Sequence, residues 1–149
     1  MKIILFLVLF LLPLFSFGQD PYIEDQVIHW RAATGHRFSI DLNTSKFRYT
    51  IKIGETIKYY DSDYYGGKDG AVKSIGDVVI KYYDSDYYGG KKGAVESIGN
   101  IEIEYYDSDY YGGKKGAVKS IGDLKFKYYD SNYYGGKKGY LKETEGSIY

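Results

Sequence analysis

The sequence predicts an all-β fold, an antiparallel meander of tandem β-hairpin repeats forming an open, curled sheet or a solenoid-like array. Three observations lead there. The string Tyr-Tyr-Asp-Ser-(Asp/Asn)-Tyr-Tyr-Gly-Gly-Lys-(Lys/Asp)-Gly begins at Tyr59, Tyr82, Tyr105 and Tyr128, a constant step of 23 residues. A fixed period of this size marks one supersecondary unit repeated along the chain. Ahead of each string apolar and polar residues alternate, as in Val78-Val79-Ile80-Lys81-Tyr82, the period of a strand with one buried face. Between two such runs stand Gly76-Asp77, Gly99-Asn100 and Gly122-Asp123, pairs suited to tight hairpin turns that need a positive φ.

Taken in order, residues 1–18 read as a secretory signal peptide. Lys2 supplies the positive start, Ile3 to Phe15 the apolar stretch, and Ser16-Phe17-Gly18 the small residues before a cleavage site at Gln19. The competing reading, a membrane anchor, needs roughly 18–20 apolar residues, more than this stretch holds, so no membrane span is expected after cleavage. Residues 19–52 form an N-terminal capping segment and the first strands. Phe47, Tyr49, Ile51 and Ile53 alternate with polar residues, and His36–Leu42 is the expected hairpin partner through Asn43-Thr44. Gln19 to Gly35 has no clean period and is expected to cap an edge, with Ile28 and Trp30 packing on the first strands.

Residues 53–139 hold the four 23-residue units. Comparing 75–97 with 98–120, 18 of 23 positions match. Each unit should contain a short strand such as Ala94–Ile98, a tight turn, a longer strand ending in the leading tyrosine doublet, and a loop carrying a trailing doublet. The strands' inner residues should be Ile57 and Tyr59; Val78, Ile80 and Tyr82; Ile101, Ile103 and Tyr105; Leu124, Phe126 and Tyr128. A two-residue turn would put Lys73 on the apolar side unless a bulge in the short strand turns Val72 and Ile75 inward together. Residues 140–149, with Leu141-Lys142-Glu143-Thr144, read as a charged C-terminal cap that blunts an exposed edge.

Composition excludes several function classes. The chain has 149 residues, 20 Lys+Arg against 20 Asp+Glu, and no Cys. Balanced charge gives no reason to expect nucleic acid as a partner. Without Cys there are no disulfides, thiolate metal sites or Cys nucleophiles. The two histidines, His29 and His36, have no acid or Cys arrangement typical of a metal site in sequence, and no Ser stands in a nucleophile-elbow context. No enzymatic activity is expected, and no cofactor.

Two candidate sites remain. Sixteen of the 20 Tyr lie in the four strings. In each leading doublet strand alternation sends one ring inward and the other, Tyr60, Tyr83, Tyr106 or Tyr129, to the wet face. A regular row of such rings could stack on sugars or grip a protein; equally, it could be a tyrosine ladder that adds buried area. The pairs Asp61/Asp63, Asp84/Asp86 and Asp107/Asp109 precede glycines and resemble the opening of a calcium loop. Against calcium, the fifth position is Tyr, no bidentate Glu follows, and the last copy reads Asp130-Ser131-Asn132; Asp, Ser and Asn also favour turns by bonding their own backbone. The Gly-Gly-Lys-Lys-Gly loops lack phosphate-loop spacing and read as flexible turns with solvated lysines.

The units Lys-Tyr-Tyr-Asp…Gly…Val-Lys-Ser-Ile-Gly-Asp-Val-Val-Ile-Lys-Tyr-Tyr-Asp resemble tyrosine–aspartate (YD/RHS-type) repeats of bacterial surface and secreted proteins, over residues 53 to 144. They are also similar to aromatic-rich choline- and glucan-binding hairpins, although Trp30 lies outside the array, and to uncharacterised Tyr/Gly-rich repeats of exported bacterial proteins. The resemblance implies hairpin arrays at the cell surface and no known activity. The expected function is a secreted, non-enzymatic structural or binding module contacting protein or polysaccharide, with self-association conceivable for a one-layer sheet. The alternative is a repeat stiffened by calcium at the Asp-Ser-Asp loops.

Overall fold

The computed structural model describes residues 21–64, 66–109, 113–132 and 135–148. The expected signal peptide lies outside the described residues. Within them the chain is all-β, with no helix and twelve strands in two open antiparallel sheets.

The first sheet runs in the order β1 (Tyr22–Glu24), β2 (Val27–Arg31), β3 (Arg37–Asp41) and β4 (Phe47–Thr50). The stretch before Gly35, expected as an irregular cap, thus contributes two paired strands. Its inner face presents Ile28, Trp30, Phe38 and Ile40, all buried, with Leu42 just beyond β3. The β3–β4 connection runs through Asn43-Thr44 as expected, and Asp41 Oδ1 accepts the N–H groups of both residues.

One expectation fails at the end of β4. Ile51 and Ile53, expected to continue the strand's apolar face, are exposed at 46% and 107%. Thr50 pairs with Arg37, the first residue of β3. Beyond it the strand pairing ends, and the chain turns at Gly54 (φ 88°) and crosses to the second sheet.

The second sheet follows chain order: β5 (Ile57–Tyr59), β6 (Val72–Ile75), β7 (Val78–Tyr82), β8 (Val95–Ile98), β9 (Ile101–Tyr105), β10 (Val118–Ile121), β11 (Leu124–Tyr128) and β12 (Leu141–Glu145). Ile75 pairs with Val78 across a two-residue turn, and Gly76, Gly99 and Gly122 have φ of 55°, 60° and 55°. The following Asp or Asn is not in the positive region. Glycine alone at the first central position defines a type II′ turn.

Each short strand carries the bulge that the pattern demanded. Tyr59 pairs with Val72 and Lys58 with Ser74, leaving Lys73 as the extra, exposed residue while Val72 and Ile75 are buried. The same shift recurs between β7 and β8, β9 and β10, and β11 and β12.

Ile80, Ile103 and Phe126 are fully buried, and Tyr82, Tyr105 and Tyr128 nearly so. Tyr59 departs from this expectation at 58% exposure. It lies on β5, the edge of the sheet, where no preceding hairpin covers it. At the opposite edge β12 presents Lys142, Glu143, Thr144 and Glu145 to solvent.

The inner face of the first sheet packs on the apolar face of the second, and the two share one hydrophobic core. The β3–β4 turn is the fastening point. Val118 N–H and the Tyr128 hydroxyl both donate to Leu42 O, at 2.9 and 3.2 Å, and Ser45 Oγ donates to Gly116 O at 2.9 Å. Leu141 N–H donates to Gln26 Oε1 at 2.8 Å. An apolar sheet face must be covered by another layer, and here the N-terminal strands cover it.

Candidate functional site

The tyrosine strings occupy three environments. The inner leading rings are locked by their hydroxyls: Tyr82, Tyr105 and Tyr128 donate to Val72 O, Val95 O and Val118 O at 3.1, 2.8 and 2.7 Å. Burial pushes the Tyr82 phenol up to about 12 and raises those of Tyr105 and Tyr128 as well.

The rings expected on the wet face are also anchored. Tyr60, Tyr83 and Tyr106 are half-buried, and their hydroxyls donate to Ile80 O, Ile103 O and Phe126 O in the following unit at 2.8, 2.9 and 2.8 Å. Each sits edge-on to the next inner ring at about 6 Å: Tyr60 to Tyr82, Tyr83 to Tyr105, Tyr106 to Tyr128. Desolvation, with nearby glutamates, pushes Tyr83 up to about 12. Each ring also lies against the second glycine of its own loop. A Cβ on Gly67, Gly90, Gly113 or Gly136 would come within 2.7 Å of the Cδ1 of Tyr60, Tyr83, Tyr106 or Tyr129. Tyrosine and glycine in the string are therefore two halves of one contact.

Among the described residues the most exposed tyrosines stand instead in the trailing doublets. Tyr64, Tyr87 and Tyr88 are 77%, 76% and 101% exposed. Tyr88 has a φ of 54°, a left-handed backbone that is strained for a bulky aromatic residue. Alternation inside the strands points to the leading rings; the trailing ones stand in loops, where a period of two carries no information. Tyr65, Tyr110, Tyr111, Tyr133 and Tyr134 lie outside the described residues.

The acidic pairs divide by role. Asp63, Asp86 and Asp109 each use Oδ1 to accept a backbone N–H six residues on, from Asp69, Lys92 and Lys115, at 2.8–2.9 Å. Asn132 makes the same bond to Lys138 N–H at 2.9 Å, so the charge is dispensable for this duty. Asp61, Asp84 and Asp107 are exposed. Among the described residues no three His, Cys, Asp or Glu side chains converge as a metal cluster.

The lysines after Gly-Gly, expected to be solvated, are structural bridges. Lys68, Lys91 and Lys114 donate to Gly93 O, Gly116 O and Gly139 O, each 25 residues ahead, at 2.9, 2.9 and 3.4 Å. Lys91 Nζ also reaches Thr44 O and Ser45 Oγ at 3.1 and 3.0 Å, and Lys114 reaches Asn43 Oδ1 at 2.9 Å. Desolvation lowers the pKa of Lys91. Sequence spacing held no signal for bonds that depend on how successive loops stack.

Two clefts and one polar constellation accompany the tyrosine strings. A cleft of about 520 Å³ lies between the β3–β4 turn and the first loops, with Tyr49, Tyr59, Lys68 and Lys91 in its walls. A second, of about 570 Å³, lies on the first sheet and involves Tyr22, His29, Arg31, Arg37, Ser39 and Arg48. Separately, Thr34 Oγ1 lies 2.6 Å from His36 Nδ1, and His36 Nε2 lies 2.6 Å from Glu55 Oε1. A hydroxyl, an imidazole and a carboxylate are the groups of a hydrolytic triad. Here the hydroxyl and ring are two residues apart in one tight turn, and Thr34 belongs to neither cleft wall. The contact ties that turn to the link between the sheets.

Comparison with known proteins returns no match: no family model, no curated protein and no solved structure is significantly similar to the chain. No helix among the described residues is long and apolar enough to cross a membrane.

Proposed function

We propose that the protein is an exported, non-enzymatic repeat module acting at the cell surface, where it contacts polysaccharide or protein through its tyrosine-bearing loops. In this reading each 23-residue unit adds one hairpin to an open array, and residues 1–18 direct export. The observation that carries it is the division of labour among the tyrosines. The leading rings hold strand to strand, whereas Tyr64, Tyr87 and Tyr88 are held out in solvent, one of them at a strained backbone angle. Two strands per unit put successive loops about 10 Å apart, a regular aromatic row suited to an extended, repetitive ligand.

The test is a glycan array and a surface-protein pull-down with the wild type and the triple variant Tyr64→Ser/Tyr87→Ser/Tyr88→Ser. The expected result is binding by the wild type and a loss of about tenfold or more in the variant, with an unchanged melting midpoint. Equal binding by both proteins would contradict the assignment of the contact to these rings. No binding by the wild type would leave a purely structural role.

A further inference from the structure

The second sheet alternates long strands, β7, β9 and β11, with short ones, β6, β8, β10 and β12. Its two edges are therefore unlike. At one end stands β5, whose Ile57-Lys58-Tyr59 repeats the Ile80-Lys81-Tyr82 of a long strand, and at the other the short-strand position of β12. We infer that these edges are complementary, and that copies of this chain assemble head to tail, β12 of one copy beside β5 of the next. The seam uses none of the trailing tyrosines.

The junctions inside the sheet show what each edge offers. Two bonds run forward into the following unit: Tyr60, Tyr83 and Tyr106 donate to Ile80 O, Ile103 O and Phe126 O, and Lys68, Lys91 and Lys114 to Gly93 O, Gly116 O and Gly139 O. Two run backward: the Tyr82, Tyr105 and Tyr128 hydroxyls donate to Val72 O, Val95 O and Val118 O, and the Tyr82 and Tyr105 N–H groups to Gly66 O and Gly89 O at 2.7 Å. At the β12 end the forward donors are left over. Lys137 turns back on Tyr140, 2.9 Å from its hydroxyl and over its ring, and among the described residues the Tyr129 hydroxyl meets no acceptor. At the β5 end Tyr59 is 58% exposed, where Tyr82, Tyr105 and Tyr128 are buried, and it shares a hydrogen bond with Tyr49 of the first sheet. The glycines' surroundings change in the same way. A Cβ on Gly66 or Gly89 would touch Lys81 or Glu104 of the next unit, and one on Gly93, Gly116 or Gly139 the lysine of the preceding unit. On Gly135 and Gly70, at the two ends, it would meet nothing within 4 Å among the described residues.

The 23-residue step carries each bond across the seam. Tyr129 of one copy donates to Ile57 O of the next, and Lys137 to Gly70 O. In return the Tyr59 hydroxyl donates to Leu141 O and the Tyr59 N–H to Gly135 O. Tyr59 and Gly70 both border the open cleft of about 520 Å³ at this end of the sheet. The same step sets Glu143 beside Thr56, as Ser74 stands beside Val79, Ser97 beside Glu102 and Ser120 beside Lys125. The Glu143 carboxylate does not bar the approach, because it lies across the strand pair against Lys127 at 2.7 Å rather than along the backbone edge. A contact between unlike edges does not close on itself and continues as a filament. Thr144 holds the place that Ile75, Ile98 and Ile121 hold in the other short strands. The seam thus buries less apolar surface than the internal junctions and should form reversibly, at high protein concentration.

The experiment exploits the absence of Cys from the chain. Thr56→Cys and Glu143→Cys, both at exposed positions, are oxidised separately and as a mixture. The mixture should give a disulfide-linked heterodimer through positions 56 and 143, and the variant carrying both changes a ladder of covalent oligomers. Either single variant alone should give about tenfold less dimer, since its thiols do not face each other. In sedimentation the wild-type chain should gain mass reversibly as its concentration rises towards about 1 mM. Tyr129→Phe should weaken that association about fivefold, the loss of one hydrogen bond, with an unchanged melting midpoint at low concentration; Tyr106→Phe, whose hydroxyl is bonded within the chain, should lower the midpoint instead. A wild type that stays monomeric at about 1 mM, like-with-like dimers as abundant as the mixed one, or a Tyr129→Phe variant that associates as the wild type does would each overturn the inference.

Discussion

Gly90 carries no side chain because Tyr83 fills the space. An added Cβ would meet Ser85 O and the Tyr83 ring, each at 2.7 Å, and the carbonyl cannot rotate away. Gly90→Ala should therefore cost about 1–3 kcal/mol, the usual penalty for overpacking a tight site, read as a lower urea midpoint with an unchanged slope. The neighbouring acid behaves differently. Asp86 Oδ1 serves the Lys92 amide as Asn132 Oδ1 serves Lys138, so Asp86→Asn should change stability by less than about 0.5 kcal/mol. Asp86→Ala should lose about 1 kcal/mol with the bond. Millimolar calcium should leave the wild-type melting midpoint unmoved. A calcium-dependent rise that disappears in Asp86→Asn would restore the ion-binding alternative, since a ligand of the native state must stabilise it.

At the scale of the elements, strands alone do not hold successive hairpins together; side chains cross between them. Lys68 has one carbonyl acceptor and is exposed, whereas Lys91 has three acceptors and is partly desolvated. Lys91→Ala should accordingly cost about 1–3 kcal/mol and Lys68→Ala less than about 1 kcal/mol, measured by equilibrium unfolding. Equal, negligible losses would show that these bridges contribute nothing. The acceptors are carbonyl and hydroxyl oxygens rather than carboxylates, so the difference should persist at high salt.

What was legible in the sequence follows the same division. Alternation and the Gly-Asp pairs place β6–β11 and their II′ turns, and the misfit of Lys73 points to the bulge before any coordinate does. These features are local. The hydroxyl bonds spanning 20 residues and the lysine bonds spanning 25 arise from stacking, which a single unit does not encode. Ile51, Ile53 and Tyr59 break their own pattern because they stand where one sheet ends and the other begins.

The whole molecule is a two-layer structure without disulfides, held by a shared core and a tyrosine network, and its pH dependence should reveal that network. The ordinary phenol value is 10.0; burial raises Tyr82 and Tyr83 to about 12 and raises Tyr105 and Tyr128 too. The native state therefore holds protons that the unfolded chain releases. Their contribution to stability is fully present below pH 10; that of Tyr82 and Tyr83 is lost as pH climbs through about 12, and that of Tyr105 and Tyr128 at higher pH still. The most direct measurement is an alkaline titration that follows tyrosinate absorbance and circular dichroism together. The buried tyrosines predict a late stage, well above pH 10, in which Tyr82, Tyr83, Tyr105 and Tyr128 ionise cooperatively as the sheets unfold. A single stage near pH 10, with every tyrosine titrating while the β-structure persists, would contradict it.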